Sequence, residues 1–450
     1  MKKRIIALPL IAGVGAAAIA GTSQYAGTQT EGEYHRLLAQ LNDLTPLVFI
    51  NEEYASGVTT SAAVTKVLLS RTADAEVLFR LQHDIEHGTM RMGTEGVDVG
   101  AVTIHTRLHE QDVVQSSELL AKFVDDSPFS LKTDVKYTGE INNHLEVSAL
   151  AISEEGVALN WSGLTFDAST IDGATLGKGS LGTLDFSDES SAGMASVQDS
   201  QFTMDVQFHG DQIYTGTSGF TFNDISIVSP AMPVPVSLAS IEITGASDLQ
   251  DDAVNGSSSV SLNGIKSPLP LNNASLEMQI DRFMIEGIRQ YHKLVSSFGV
   301  DVESLSAQPD IGSALISAVG EMFVPGSAVK YAIAMDNSEG EVMADIRLAM
   351  KDGSAEGMSG EPQKNIVTGR DLINLLTLDG SLNADIAALA QTPLVAMLGG
   401  AGDLVTVTDE SITSEVSLWG TTLVVNGVEL PLDTLSGGML DIPLTDLMTL

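Results

Sequence analysis

Alternation of apolar and polar residues is the feature that most constrains the fold of this chain. Between Val64 and about residue 282, apolar side chains recur at every second position, as in FTMDVQF at 202–208. Successive side chains of a strand point to opposite faces of a sheet, so this period predicts strands with one buried and one wet face. Such strands are typical of antiparallel sheets, and turns rich in Gly, Asn, Asp and Ser separate them here.

Helical spacing interrupts the strands in a few places, where apolar residues recur at three and four. Helices are expected at 31–45, 113–124, 284–323, 370–376 and 387–398, and further strands at 329–350, 378–386 and 412–430. The Gly/Ser-rich stretch 173–196 is the best candidate for a loop. The sequence therefore predicts a β-dominated α+β protein. A long, twisted, mainly antiparallel sheet, packed by a few helices, would be able to curl into a groove.

Composition excludes several classes of function. The 450 residues include 59 acidic and 22 basic ones, for a net charge of −37, and no cysteine. The charge disfavours nucleic acid and anionic lipid headgroups, since phosphate binding depends on Lys and Arg. The absence of cysteine excludes disulfides, Cys-ligated zinc and thiol nucleophiles. No shift in composition supports an internal domain boundary, so 31–450 is treated as one region.

Residues 1–30 are predicted to be an N-terminal signal-anchor and linker. Lys2, Lys3 and Arg4 precede an apolar run of 17 residues from Ile5 to Gly21, and the next charged residue is Glu31. This pattern directs the downstream chain to export, and cleavage after Ala20 fits the small-x-small rule. The run is long for a signal peptide and shorter than the ~20 residues of a full span, so cleaved and retained forms both remain open. Either form places 31–450 in a bacterial periplasm, with 19 basic residues left against 59 acidic ones.

Motifs for catalysis, metals and cofactors were tested and none is predicted. His83-Asp84-Ile85-Glu86-His87 matches the H-x-x-E-H pattern of a zinc-peptidase class, but that site requires a helix. The alternation before it predicts a strand with His83, Ile85 and His87 on its apolar face. Glycines at 173–179 and an S-x-x-K at 327–330 lack the companion residues of a phosphate loop or a penicillin-binding enzyme. The chain is therefore expected to be non-enzymatic, with no resident cofactor or metal.

Short motifs along the whole chain contain Tyr54, Gly57, His83, His87, Gly88, Asn426 and Gly427. Together these motifs resemble the YdgA-like family of bacterial envelope proteins, whose function is not established. In that family a Tyr-x-x-Gly step precedes early strands, and a strand ends in a His-Gly-Pro step. Thr89 stands where the family has proline, and the region 387–402 is diverged and shortened. The resemblance implies a periplasmic protein anchored in the inner membrane, which favours retention of the anchor, and it supplies no catalytic residues.

The leading hypothesis for function is binding of an apolar ligand, such as a lipid, or of an envelope protein partner. It rests on the many alternating strands and the few aromatic residues. Two alternatives remain open: an envelope hydrolase with a non-standard site at His83 and His87, and a scaffold whose exposed strand edge recruits a partner. The oligomeric state is left open.

Overall fold

A computed structural model describes residues 47–441 with gaps, together with six positions between 32 and 42. The longer gaps are 69–76, 110–127, 298–316, 352–367 and 390–401, and the others are one to three residues long. The described part is β-dominated and its strands pair antiparallel, which confirms the predicted class. The chain divides into two compact units, 1–222 and 223–450.

The first unit is built from strands that run up and down in chain order. Each pairs mainly with its neighbours along the chain. The strands are β1 Val48–Ala55, β2 Thr60–Leu68, β3 Val77–His87, β4 Met90–Gly93, β5 Gly96–Leu108, β6 Phe129–Lys136, β7 Ile141–Val147, β8 Leu150–Glu154, β9 Val157–Trp161, β10 Leu164–Ile171, β11 Ala174–Leu181, β12 Leu184–Asp188, β13 Gly193–Val197, β14 Ser200–Phe208 and the start of β15 Tyr214–Val228.

A crease crosses four of these strands. Two residues that do not pair with a neighbouring strand separate β7 from β8, and the same interruption separates β9 from β10, β11 from β12, and β13 from β14. The register sets these breaks side by side, because Leu164 pairs with both Val147 and Leu181. The Gly182 amide donates to the Gly163 carbonyl over 2.8 Å within the crease. The eight short strands are therefore four long ones, each interrupted once.

The core of the first unit lies on one face of this sheet. Apolar residues of β1–β3, β5–β7 and β10 form one cluster, and Tyr34 and Leu38 from the N-terminal segment pack into it. The described positions between 32 and 42 are helical, in agreement with the helix expected at 31–45. The period-two pattern thus buries one face of the sheet and leaves the other to solvent, as the alternation predicts.

The second unit repeats the up-and-down arrangement. Its strands are the end of β15, β16 Val236–Gln250, β17 Ala253–Asn263, β18 Asn273–Met284, β19 Phe323–Asn337, β20 Gly340–Met350, β21 Leu376–Asp385, β22 Thr406–Val407, β23 Ser411–Trp419, β24 Thr422–Val425 and β25 Val428–Pro431. Its helices are α1 Ile285–Ser297, α2 Gly369–Leu375, α3 Ile386–Leu389 and α4 Leu432–Ser436, with short 3₁₀ turns at Gly402–Leu404 and Met439–Asp441. A capping box starts α2, because Thr368 and Asp371 cap one another's backbone amides.

One sequence expectation is wrong, and several fall wholly or partly on residues that the structure does not describe. The stretch 173–196 is not a loop, because it forms most of the consecutive strands β11, β12 and β13. The helix expected near 113–124 and the segment 1–30 lie outside the described residues. The helices expected at 284–323 and 387–398 are described in part: Ile285–Ser297 and Ile386–Leu389 are helical, and 298–316 and 390–398 lie outside the described residues. In the part of the chain that the structure describes, no helix is long and apolar enough to cross a membrane.

Candidate functional site

Three neighbouring strands bring together most of the residues that carry the family resemblance. The positions gathered at β1, β2 and β3 are Tyr54, Gly57, His83, His87 and Gly88. Tyr54 pairs with Ala63 of β2, which pairs with His83 of β3. Within the described side chains, the Tyr54 hydroxyl is buried and has no hydrogen-bond partner.

His83 lies partly buried on the core face of β3, between the hydroxyl groups of two threonines. Its Nε2 is 2.8 Å from the Thr65 hydroxyl and its Nδ1 is 2.9 Å from the Thr106 hydroxyl. The Tyr34 hydroxyl hydrogen-bonds the same Thr65 oxygen. Burial lowers the pKa of His83 to about 4, against a small opposing effect of Asp84, and burial raises the pKa of Tyr34 to about 12. Both groups are therefore neutral near pH 7, and this network links the N-terminal segment to the sheet.

His87 is the last residue of β3, and it lies beside the loop that connects β1 to β2. Its Nε2 is 2.9 Å from the Ser61 hydroxyl, which also accepts a hydrogen bond from the Gly57 amide over 3.3 Å. The His87 amide donates to the Thr59 carbonyl over 2.8 Å. Sequence reasoning missed Ser61 because no motif contains it. The alternation read from Val64 onward put the apolar side chains of this strand at even positions, whereas β2 buries Ser61, Ala63, Thr65 and Val67.

The backbone does not form the zinc site that H-x-x-E-H suggests. Residues 83–87 are a strand, so Glu86 lies on the face opposite His83 and His87. Among the described residues, no three His, Asp or Glu side chains are grouped in a way that would hold a metal ion. The strand predicted for His83, Ile85 and His87 is confirmed, with Ile85 buried.

Asn426 and Gly427 form a turn in the second unit. They connect β24 and β25 with φ of 50° and 80°, the left-handed conformations that a two-residue hairpin turn requires. The Asn426 side chain accepts from the Glu415 amide over 2.8 Å and donates to the Leu404 carbonyl over 3.0 Å. These contacts indicate a structural role for Asn426 and Gly427, which form a hairpin turn that is hydrogen-bonded to β23 and to Leu404.

An exposed apolar surface lies on the sheet of the second unit. One row of directly paired residues crosses six strands from β16 to β21, and Tyr331 and Ile346 oppose one another beside it. We call this surface the apolar face, defined by Ile243, Val260, Leu276, Tyr331, Ile333, Ala344, Ile346 and Leu382.

The apolar face is exposed and uncharged. Leu276 and Ile333 are each 45% exposed, Tyr331 44%, Ile346 40% and Ile243 37%, in the part of the chain that the structure describes. The two rows of paired residues that flank the central row also contain no charged residue. One consists of Ile241, Leu262, Ala274, Met335, Val342 and Ala384, and the other of Gly245, Ser258, Met278, Tyr331, Ile346 and Gly380. The opposite side of the same strands carries Glu277 and Asp345. Contiguous exposed apolar patches of a few hundred Å² or more are typical of interaction sites.

The comparisons with known proteins identify a family but no activity. A family described as bacterial protein of unknown function (DUF945) matches residues 1–433, nearly the whole chain. No curated protein and no solved structure shows significant similarity to the chain.

Proposed function

We propose that this chain, which belongs to the DUF945 family of bacterial proteins of unknown function, binds the hydrocarbon chain of a lipid on its apolar face. The observation that carries the proposal is the row of half-exposed aliphatic side chains from Ile243 to Leu382. Full burial of an exposed Leu or Ile is worth about 1.5–3 kcal/mol, and these side chains are less than half exposed, so each one that a ligand covers contributes roughly 1 kcal/mol. A micromolar complex needs about 8 kcal/mol, so the ligand has to cover most of the apolar face.

The charge of the chain favours an uncharged occupant. A second copy of the chain would bring together two molecules of net charge −37, which repel one another at low salt. An anionic headgroup would find no Lys or Arg in the three central rows of this face. A hydrocarbon chain carries no charge, so it is not repelled by the protein and does not need a Lys or Arg partner. On the apolar face it would contact only methyl and methylene groups and one Tyr ring.

The dimensions of the apolar face also suit a lipid. Six adjacent strands at about 4.8 Å spacing give a track of roughly 24 Å across the sheet. One leaflet of a bilayer has a hydrocarbon depth of about 15 Å, half of its ~30 Å core. An extended acyl chain can therefore lie along the row without leaving it.

The place of the protein in the cell belongs to the same proposal. Residues 1–30 tether the chain to the inner membrane, and the remainder lies in the periplasm, as in the YdgA-like envelope proteins that it resembles. The basic and apolar character of that segment supports this assignment. The acidic remainder is held off anionic headgroups, so it contacts lipid through the apolar face.

Binding of a zwitterionic phosphatidylcholine that carries a fluorescent acyl chain tests the proposal. Ile333→Glu places a charge in the centre of the row and is expected to weaken binding tenfold or more. Ala334→Glu is the matched control, because this neighbour on β19 is also exposed and points to the other side of the sheet. We expect it to bind as the unaltered protein does.

Two results would contradict the proposal. Equal affinity of the Ile333→Glu and Ala334→Glu proteins would show that the apolar face is not the site. Absence of lipid both in this titration and in mass spectra of protein purified gently from membranes would exclude lipid as the ligand. Co-purification of one specific protein instead would favour the partner-binding alternative.

A further inference from the structure

Two hydroxyl–imidazole pairs cross from β2 to β3 with the same geometry. Thr65 is 2.8 Å from Nε2 of His83, and Ser61 is 2.9 Å from Nε2 of His87. In each pair the histidine lies two residues beyond the direct partner of the hydroxyl residue, because Thr65 pairs with Leu81 and Ser61 with Ile85. The sheet register therefore builds both pairs by the same rule, which makes them suitable for direct comparison.

The two pairs differ in their surroundings. In the inner pair both ring nitrogens of His83 are hydrogen-bonded, and the ring is partly buried on the core face of β3. In the outer pair His87 is half-buried, and its Nδ1 has no partner among the described residues. Ser61 is 6% exposed and carries a primary hydroxyl. The inner pair is a fully hydrogen-bonded network, whereas the outer pair keeps one ring nitrogen without a partner among the described residues.

We propose that Ser61 is a nucleophile and His87 its general base in acyl transfer from a carboxylic ester. The Gly57 amide donates to the Ser61 oxygen over 3.3 Å, and the same oxygen lies 2.9 Å from Nε2 of His87, within reach for proton transfer when that nitrogen is unprotonated. A base in hydrogen-bond contact with a serine hydroxyl is the arrangement that activates this side chain for attack.

The reaction has two balanced steps. The Ser61 oxygen bonds to the ester carbonyl carbon while its proton passes to Nε2 of His87, and the imidazolium returns that proton to the departing alcohol. Water then attacks the acyl-serine, with His87 taking a proton from it and returning one to Ser61. The products are a carboxylic acid and an alcohol, and no oxidant or further co-reactant is required. This activity was hidden from motif searches because the two residues are 26 positions apart.

Gly57 is a positioning residue for the pair. A Cβ at this position would lie 2.1 Å from the Thr60 carbonyl oxygen, so only glycine allows the loop to close on β2. The same loop receives the His87 amide at Thr59. The loop thus fixes both ends of the pair, and this explains why a glycine stands three residues after Tyr54.

Labelling with a fluorophosphonate probe tests the proposal on the full chain. We expect mass spectrometry to find the label on Ser61 and none in Ser61→Ala. His87→Gln is expected to slow labelling about 100-fold, since loss of a general base costs at least that much. Ser130→Ala and His144→Gln are the matched controls, because both lie exposed on neighbouring strands of the same sheet. Neither control is expected to change the rate.

A second measurement uses the absence of cysteine from the chain. Ser61→Cys introduces its only thiol, and we expect iodoacetamide to alkylate it about tenfold faster with His87 present than in a His87→Gln background. Circular dichroism of each variant shows that the sheet is retained. Failure of the probe to label Ser61, or rates that do not depend on His87 in either assay, would overturn the proposal.

Discussion

Acidification is expected to cost this protein about 3 kcal/mol of folding free energy through His83 alone. Burial lowers the pKa of His83 from the ordinary 6.5 to about 4 in the folded chain. As the pH falls below 6.5, His83 of the unfolded chain becomes protonated, whereas His83 of the folded chain stays neutral until about pH 4. The stability is therefore fully present above pH 6.5 and is lost between 6.5 and 4.

His83→Gln separates this contribution from that of the many carboxylates. We expect the difference in unfolding free energy between the unaltered protein and His83→Gln to shrink by about 3 kcal/mol from pH 7 to pH 4. His144→Gln is the control for loss of a histidine from the surface of the same sheet, because His144 is exposed on β7. Urea unfolding at each pH measures both. A His83→Gln difference that does not vary with pH would show that His83 is not buried in its neutral form.

Gly163→Ala is expected to destabilise the first unit by roughly 3 kcal/mol, from backbone strain together with a steric clash. Gly163 lies in the crease with φ of 101°, which side chains other than that of glycine rarely allow. A Cβ there would also lie 2.4 Å from the Val147 carbonyl oxygen on the adjacent strand. Thermal and urea unfolding measure the loss.

Gly139→Ala is the matched control for the crease. Gly139 has a similar positive φ of 86°, but no atom lies within 4 Å of a Cβ placed there. Its replacement should cost about 1 kcal/mol from backbone strain alone. Equal losses at the two positions would mean that the strands can separate at the crease to admit a methyl group.

The period-two pattern identified the strands whose own side chains alternate. Residues 202–208 read as a strand and lie in β14, and the hairpin expected at 329–350 forms β19 and β20 with its turn after Asn337. The helix expected at 370–376 and the strand at 378–386 correspond to α2 and β21 within two residues. These elements were predictable because the residues that bury them lie within the elements themselves.

The strands within 173–196 were not predicted because the apolar side chains that pack over them belong to other strands. Gly177 and Gly179 occupy inward positions of β11, and the Phe166 and Phe202 rings lie over them from β10 and β14. A Cβ at Gly179 would lie 2.2 Å from the Phe202 ring. Glycine in a strand often marks such a close approach, but a single sequence does not show which ring will cover it.

Local chemistry was enough to establish the class of the protein, since alternation, turns and the absence of cysteine can all be read from the chain. It also predicted that His83 and His87 share the apolar face of a strand. Their roles depend on the tertiary fold, because strand register places Thr65 and Thr106 around His83 and Ser61 beside His87. The apolar face arises in the same way. Six strands each contribute one or two ordinary residues, and only their pairing joins those residues into a surface.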